Sequence, residues 1–285
     1  MSEYECVGYD VSNGIATATL RRPGKLNAFN DVMLRELHEI LDEVRGRDEV
    51  RVLILTGEGR AFCVGADLNW FDVSALGREP TPKFRATAAG THGVFDQLEA
   101  LEKPVIAAIN GPAVGFGVTM TLPMDIRIAS SAARMGFVFA RRGVVPEACS
   151  TWFLPRLVGM QRAAEWVYTG RVFGAEEALA GGLVSRVVPP EALLPTALAL
   201  AREIADNTSA VSVALARQMM WKLLGTDHPM EGHRLDSRGM AWTGSSADAR
   251  EGIASFLEKR PPRFTLKPSR DMPPFYPWWS ERSFK

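Results

Sequence analysis

From Asp31 onward, apolar residues recur at helical spacing (Met33, Leu37, Ile40, Leu41 and Val44) until Gly46 stops the pattern. That spacing predicts an amphipathic helix. Ahead of it, Gly14-Ile-Ala-Thr-Ala-Thr-Leu20 predicts a Thr-rich strand ended by the turn residues Arg21-Arg22-Pro23-Gly24. The runs 52–56 (Val-Leu-Ile-Leu-Thr) and 105–109 (Val-Ile-Ala-Ala-Ile) are short and continuously apolar. Such runs predict strands covered by helices on both faces, and 125–129 (Asp-Ile-Arg-Ile-Ala) predicts a third of the kind. Strands alternating with helical segments predict an α/β layer architecture through the first two thirds of the chain.

Beyond about residue 190 the pattern changes to helices alone, from Pro190 to Glu258, with breaks near Asn207, from Gly225 to Pro229, and at Gly244-Ser245-Ser246. Met219, Met220, Trp221, Met240 and Trp242 give this region much apolar surface to place, either against its own core or in a subunit interface. The last stretch, Pro261 to Lys285, is rich in proline and aromatics, including Phe264, Phe275, Tyr276, Trp278 and Trp279. It is too apolar for a disordered tail and is expected to dock as an extended segment on this or a neighbouring subunit. The chain thus divides into a core over 1–190, a helical region over 191–260 and a docked tail over 261–285, with no internal repeat.

Charge narrows the function classes. The 33 basic and 33 acidic residues balance, so the chain as a whole offers no electrostatic footprint for nucleic acid or an anionic membrane, and any anion must be met locally. The three cysteines, Cys6, Cys63 and Cys149, are odd in number and scattered, against a disulfide framework or structural zinc. No metal is expected, since the histidines lack ligand spacing with carboxylates. The acidic N-terminus lacks the order of a secretion signal, and no apolar run is long enough to span a membrane. The expectation is a cytoplasmic protein.

Two glycine-containing segments carry the chemistry. In Gly57-Glu-Gly-Arg-Ala-Phe-Cys-Val-Gly-Ala-Asp-Leu68 a strand runs through a glycine loop toward a helix expected to begin near Ala66 and Asp67. In Asn110-Gly-Pro-Ala-Val-Gly-Phe-Gly-Val-Thr119 the same order recurs. A helix N-terminus leaves amide donors free. If the two strands are neighbours, amides from both loops can converge on one oxygen, as an oxyanion hole does. Either loop alone reads better as an ordinary strand-to-helix turn.

Taken together, several motifs in register closely resemble the crotonase superfamily, the enoyl-CoA hydratases and isomerases. They are Arg22-Pro23, Asn27-Ala28, Ala61-Phe-Cys-Val-Gly-Ala-Asp-Leu68, Lys103-Pro-Val-Ile-Ala-Ala-Ile-Asn-Gly111 and Met124-Asp-Ile-Arg-Ile-Ala-Ser130. Further matches are Thr169-Gly170, the stretch Ala178 to Val184, and Phe256-Leu-Glu-Lys-Arg260. The resemblance implies an α/β spiral of repeated β-β-α units and a helical C-terminal trimerisation region, with homotrimers often paired into hexamers. It implies an acyl-CoA substrate, with coenzyme A part of that substrate and no separate cofactor. It places the oxyanion donors at the amides of Ala66 and Phe116, and the CoA contacts at Lys25, Leu26 and Ala28. Lys259 matches a position that reaches the nucleotide phosphate of an adjacent subunit.

The chain departs from the hydratase pattern where the reaction is decided. The two glutamates that ordinarily handle water fall on Thr119 and Phe139, neither of which is a general base near neutral pH. Instead Glu147 aligns with an acid carried by members resembling dienoyl-CoA isomerase and the ring-opened phenylacetyl-CoA isomerases. One carboxylate suffices to shift a double bond, and an apolar pocket would raise its pKa usefully. Trp70, Phe71, Thr119, Phe139 and Trp152 are candidates for the acyl pocket. Glu147 also reads as a first-turn helix carboxylate after Pro146, and Arg141 and Arg142 are near enough in sequence to pair with it and lower its pKa. Asp67 reads as a helix cap. Cys149, Ser150 and the histidines 38, 92, 228 and 233 sit in no nucleophile-elbow pattern, and His38 is expected at the surface of its helix. Phe116 stands where glycine is usual, and would be strained if the loop required a positive φ there. Three functions stay open: an isomerase using Glu147, a hydratase or other lyase in which Glu147 and water replace the missing pair, and an acyl-CoA binder without chemistry.

Overall fold

In this computed structural model the described residues are 4–67, 97–98 and 100–280. Nine strands are present among them: β1 (Val7–Ser12), β2 (Ile15–Leu20), β3 (Val52–Gly57), β4 (Val105–Ile109), β5 (Ala113–Val114), β6 (Ile126–Ser130), β7 (Arg134–Gly136), β8 (Val172–Gly174) and β9 (Arg186–Val188). Six form one sheet in the order β1-β2-β3-β4-β6-β9. Only β1 and β2 pair antiparallel in it, and β2 through β9 run parallel, with Ile15 opposite Val52 and Leu53 opposite Val105.

The continuous apolar runs have their cause in this sheet, because both of its faces are covered. Leu53 and Leu55 of β3, and Val105, Ala107 and Ile109 of β4, point into the main core with Met33, Leu37, Ile40 and Val44 of the helix Asp31–Gly46. Their neighbours Val52, Ile54, Ile106 and Ala108 point the other way, onto Leu193, Ala197 and Ala201 of the helix Leu193–Asn207. Burying each of the valine, leucine, isoleucine and methionine side chains among these stabilises the fold by about 1.5–3 kcal/mol. The helix Asp31–Gly46 starts where Asn30 accepts the Met33 amide at 2.9 Å. At its far end the buried Lys103 ammonium donates to the carbonyls of Val44, Arg45 and Arg47.

A second column of short pairings runs beside the sheet. Phe29 bridges Ala66, Cys63 bridges Ala113, and β5 pairs with β7, which pairs with β8. Each turn of chain contributes a long strand to the sheet and then a short extended piece to this column, so the turns stack as a spiral. The strands β5, β7, β8 and β9 are two or three residues long, too short for any periodicity to predict. β1 was not expected either; the buried Glu36 carboxylate holds its start by accepting the amides of Glu5 and Cys6, both at 2.8 Å.

After β9 the described chain is helical: Leu193–Asn207, Ala210–Leu223, Pro229–Gly244 and Ala247–Glu258. Arg217 and Trp221 anchor the second of these to the core through Asp125, at 2.8 and 2.7 Å. The tail lies along the same chain. Tyr276 donates to Glu102 at 3.0 Å, Ser269 to Asp48 at 2.6 Å, and Lys222 and Arg238 sit over the rings of Trp279 and Phe275. Ile253, Phe256 and Leu257 of the last helix remain exposed.

Candidate active site

The two glycine loops abut. Val114 donates to the Cys63 carbonyl at 3.0 Å, and Cys63 donates to that of Pro112 at 3.1 Å. A Cβ on Gly117 would lie 1.9 Å from the Cys63 carbonyl oxygen, so only glycine allows this approach. A Cβ on Gly65 would lie 3.8 Å from the Phe116 nitrogen, which sets the start of one loop's exit beside the other's helix. The amides of Ala66 and Phe116 donate to no other described residue. Two free donors on touching loops can hold one developing oxyanion.

Phe116 is not strained. The left-handed turn falls one residue earlier, on Gly115 at φ 57°, and Phe116 begins the short helix Phe116–Thr119 with its ring 4.6 Å from that of Phe29. Leu26 and Ala28 lie beside the first loop. Val64 donates to the Leu26 carbonyl at 3.3 Å, and Phe29 to that of Gly65 at 2.8 Å. Lys25 is exposed in the turn Pro23–Lys25. Lys259 is exposed at the end of the last helix, which it caps with left-handed backbone at φ 55°.

Sequence reasoning missed what fastens these loops. Asn27 is fully buried; its amide donates to Glu58 and Ala61 carbonyls at 3.0 and 2.8 Å while its oxygen accepts the Arg22 amide at 2.8 Å. Asn110 donates to Gly59 and Ala61 carbonyls and accepts the Gly57 amide at 3.1 Å. An asparagine beside a glycine turn was the available signal, since its side chain both donates and accepts as a backbone unit does. Asp67 turns to Arg22, 3.1 Å away, and its amide donates to Phe29. The helix expected to follow it lies outside the described residues, as do Trp70 and Phe71.

Glu147 is not a helix-start carboxylate. Ala148 and Cys149 both take left-handed backbone, at φ 51° and 53°, so the helix begins only at Ser150. Ser150 satisfies itself on the Glu147 carbonyl, which leaves the Glu147 side chain out of the cap. Although residue 147 lies in an exposed loop, its carboxyl turns inward to the fully buried Thr119, whose hydroxyl donates to Oε1 at 2.5 Å. Crowding of the carboxyl by protein pushes its pKa up to about 7, against the Thr119 hydrogen bond, which lowers it. No cation among the described residues pairs with it; Arg141 donates instead to the Thr169 carbonyl.

Phe139 is buried in the main core, and Trp152 is half-buried against Phe153, with Arg156 over its ring. Cys63 is buried, and its thiol is pushed up to about 12 by that burial, so it stays neutral; Cys149 is exposed. His38 is half-buried rather than at the surface, and loss of hydration lowers its pKa. Among the described residues no cluster of His, Cys, Asp or Glu could hold a metal, and no helix is long and apolar enough to cross a membrane.

A stacked spiral of strands with paired, touching glycine loops is a crotonase-type fold. Residues 10–267 match the family model for enoyl-CoA hydratase/isomerase, and the chain belongs to that family of enzymes. It is 42% identical over 255 residues to the Enoyl-CoA hydratase ACTT3 of Alternaria alternata, covering 89% of this chain and 83% of that protein. It is 39% identical over 262 residues to the 1,2-epoxyphenylacetyl-CoA isomerase of Escherichia coli strain K12, covering 90% and 97%. The crystal structure of a probable enoyl-CoA hydratase/isomerase from Mycobacterium abscessus superposes with a TM-score of 0.83 at 34% identity, covering 92% of this chain and 99% of that one.

Proposed function

We propose that the protein isomerises a carbon–carbon double bond in an unsaturated acyl-CoA thioester, with Glu147 as the proton carrier. The observation that carries this reading is the inward carboxyl of Glu147, bonded to Thr119 and with a pKa pushed up to about 7, while positions 119 and 139 hold Thr and Phe in place of carboxylates. The amides of Ala66 and Phe116 hold the thioester oxygen. Glu147 takes a proton from one carbon, the electron pair left behind is held as the enolate, and the same proton returns to a carbon further along the chain as the double bond moves. Nothing is oxidised or reduced, and no cofactor beyond the CoA of the substrate takes part.

The CoA portion lies along Lys25, Leu26 and Ala28, consistent with the bonding of residue 26 to the first loop. Lys259 serves a neighbouring subunit in a homotrimer or dimer of trimers, and the exposed Ile253, Phe256 and Leu257 give the last helix an apolar face to bury there.

The hydratase names of relatives such as the Alternaria protein favour a second reading, in which Glu147 activates a water that adds to the double bond. Incubation with 2-enoyl- and 3-enoyl-CoA in heavy water separates the two. Deuterium uptake with double-bond migration, both lost in Glu147→Gln, is the expected result. A 3-hydroxyacyl product would replace isomerisation with hydration, and turnover equal to wild type in the variant would remove Glu147 from the mechanism. Binding without turnover would make the protein an acyl-CoA carrier.

A further inference from the structure

We infer that Thr119 is a positioning residue that reserves one oxygen of Glu147 for the proton transfer and holds that carboxyl in register with the oxyanion site. The inference rests on the reading of Glu147 given above. Thr119 is fully buried and its hydroxyl has two acceptors in reach, Glu147 Oε1 at 2.5 Å and the Phe116 carbonyl at 3.3 Å. A hydroxyl has one proton to give. The Phe116 carbonyl already receives the Met120 amide at 3.0 Å, so the shorter contact, to Glu147, takes the proton. Oε1 is thereby occupied, while Oε2 accepts from no described residue. Oε2 is the atom left to accept and return the substrate proton. Oε1 keeps its bond to Thr119 in both protonation states, because the carbonyl oxygen of a carboxylic acid still accepts.

The same bond fixes distance as well as identity. Phe116 and Thr119 are the first and last residues of one helical turn, which is locked against the Cys63 carbonyl through Gly117. One rigid turn therefore carries both a thioester-holding amide and the hydroxyl that aims the base, so the proton donor carbon and the enolate oxygen are held at a set separation. The charged and titratable groups around the carboxyl are few among the described residues. The Cys63 thiol stays neutral, Arg141 is engaged by Thr169, and Arg142 is exposed on the loop before Glu147.

The test is the pH profile of kcat/KM for Thr119→Val, Thr119→Ala and Thr119→Ser beside Glu147→Gln, with the heavy-water assay as readout. Removing the hydroxyl takes away a stabiliser of the charged form. The acid limb of the Val and Ala variants should move up by about one pH unit, with at least a tenfold fall in kcat at neutral pH and little change in KM. Thr119→Ser should keep the wild-type limb. If Thr119→Val does not fold, Thr119→Ala carries the comparison. A wild-type profile in the folded Val or Ala variant, with Glu147→Gln inactive, overturns the role of Thr119 alone. An active Glu147→Gln overturns the assignment of the base on which it rests.

Discussion

Asn27 and Asn110 donate to one and the same carbonyl, that of Ala61, at 2.8 and 3.1 Å, from two different loops. This shared acceptor ties the turn after β2 and the end of β4 to the strand-to-loop segment that presents Gly65 and Ala66. Neither side chain reaches the carboxyl of Glu147, so both act through the backbone.

Asn27→Ala should therefore cost stability before chemistry. The substitution removes three hydrogen bonds from a fully buried site and strands the Arg22 amide and the Glu58 carbonyl. A loss of about 2–4 kcal/mol is expected in urea unfolding, with the pH limb of activity unmoved.

Gly117→Ala tests the apposition of the loops. The new Cβ would overlap the Cys63 carbonyl, and the second loop must move away from the first. Displacing one of the two proposed oxyanion donors in this way should lower kcat about a hundredfold, while CoA itself still binds, as measured by calorimetry.

Glu147 gives stability a pH dependence of definite sign. Its folded-state pKa lies above that of an unfolded glutamate, so the folded chain holds a proton that the unfolded chain releases. The stability associated with the neutral form is complete below the unfolded value, near 4.3, and is lost as pH rises through about 7. Glu147→Gln should accordingly melt higher than wild type at pH 8 and close to it at pH 4. Equal melting temperatures at pH 8 would mean that the carboxyl pays no desolvation cost.

Arg127→Met probes the turn behind the site. Arg127 is buried and donates to the carbonyls of Leu183, Thr121, Leu122 and Met124, which hold the chain leaving the helix Phe116–Thr119 against the approach to β9. Methionine fills similar volume but leaves carbonyls without donors. A destabilisation of about 2–4 kcal/mol in denaturant unfolding is expected.

The amphipathic helix over 31–46, the strands at β2, β3, β4 and β6, and the helical run after residue 190 were legible in the sequence, because each follows from a local period and a local breaker. The two glycine loops were legible for the same reason, and their motifs carried the family. Glu147 was visible in two ways, as a carboxylate after a proline and, through the family resemblance, as a candidate base. What tertiary structure decided was where its carboxyl goes. Successive left-handed residues at 148 and 149 turn it out of the helix cap, and a hydroxyl 28 residues earlier in the chain receives it. Likewise Phe116 looked like a misfit until the positive φ fell on Gly115. Short strands, paired asparagines and the carboxyl's partner all depend on contacts between distant segments, which no local pattern encodes.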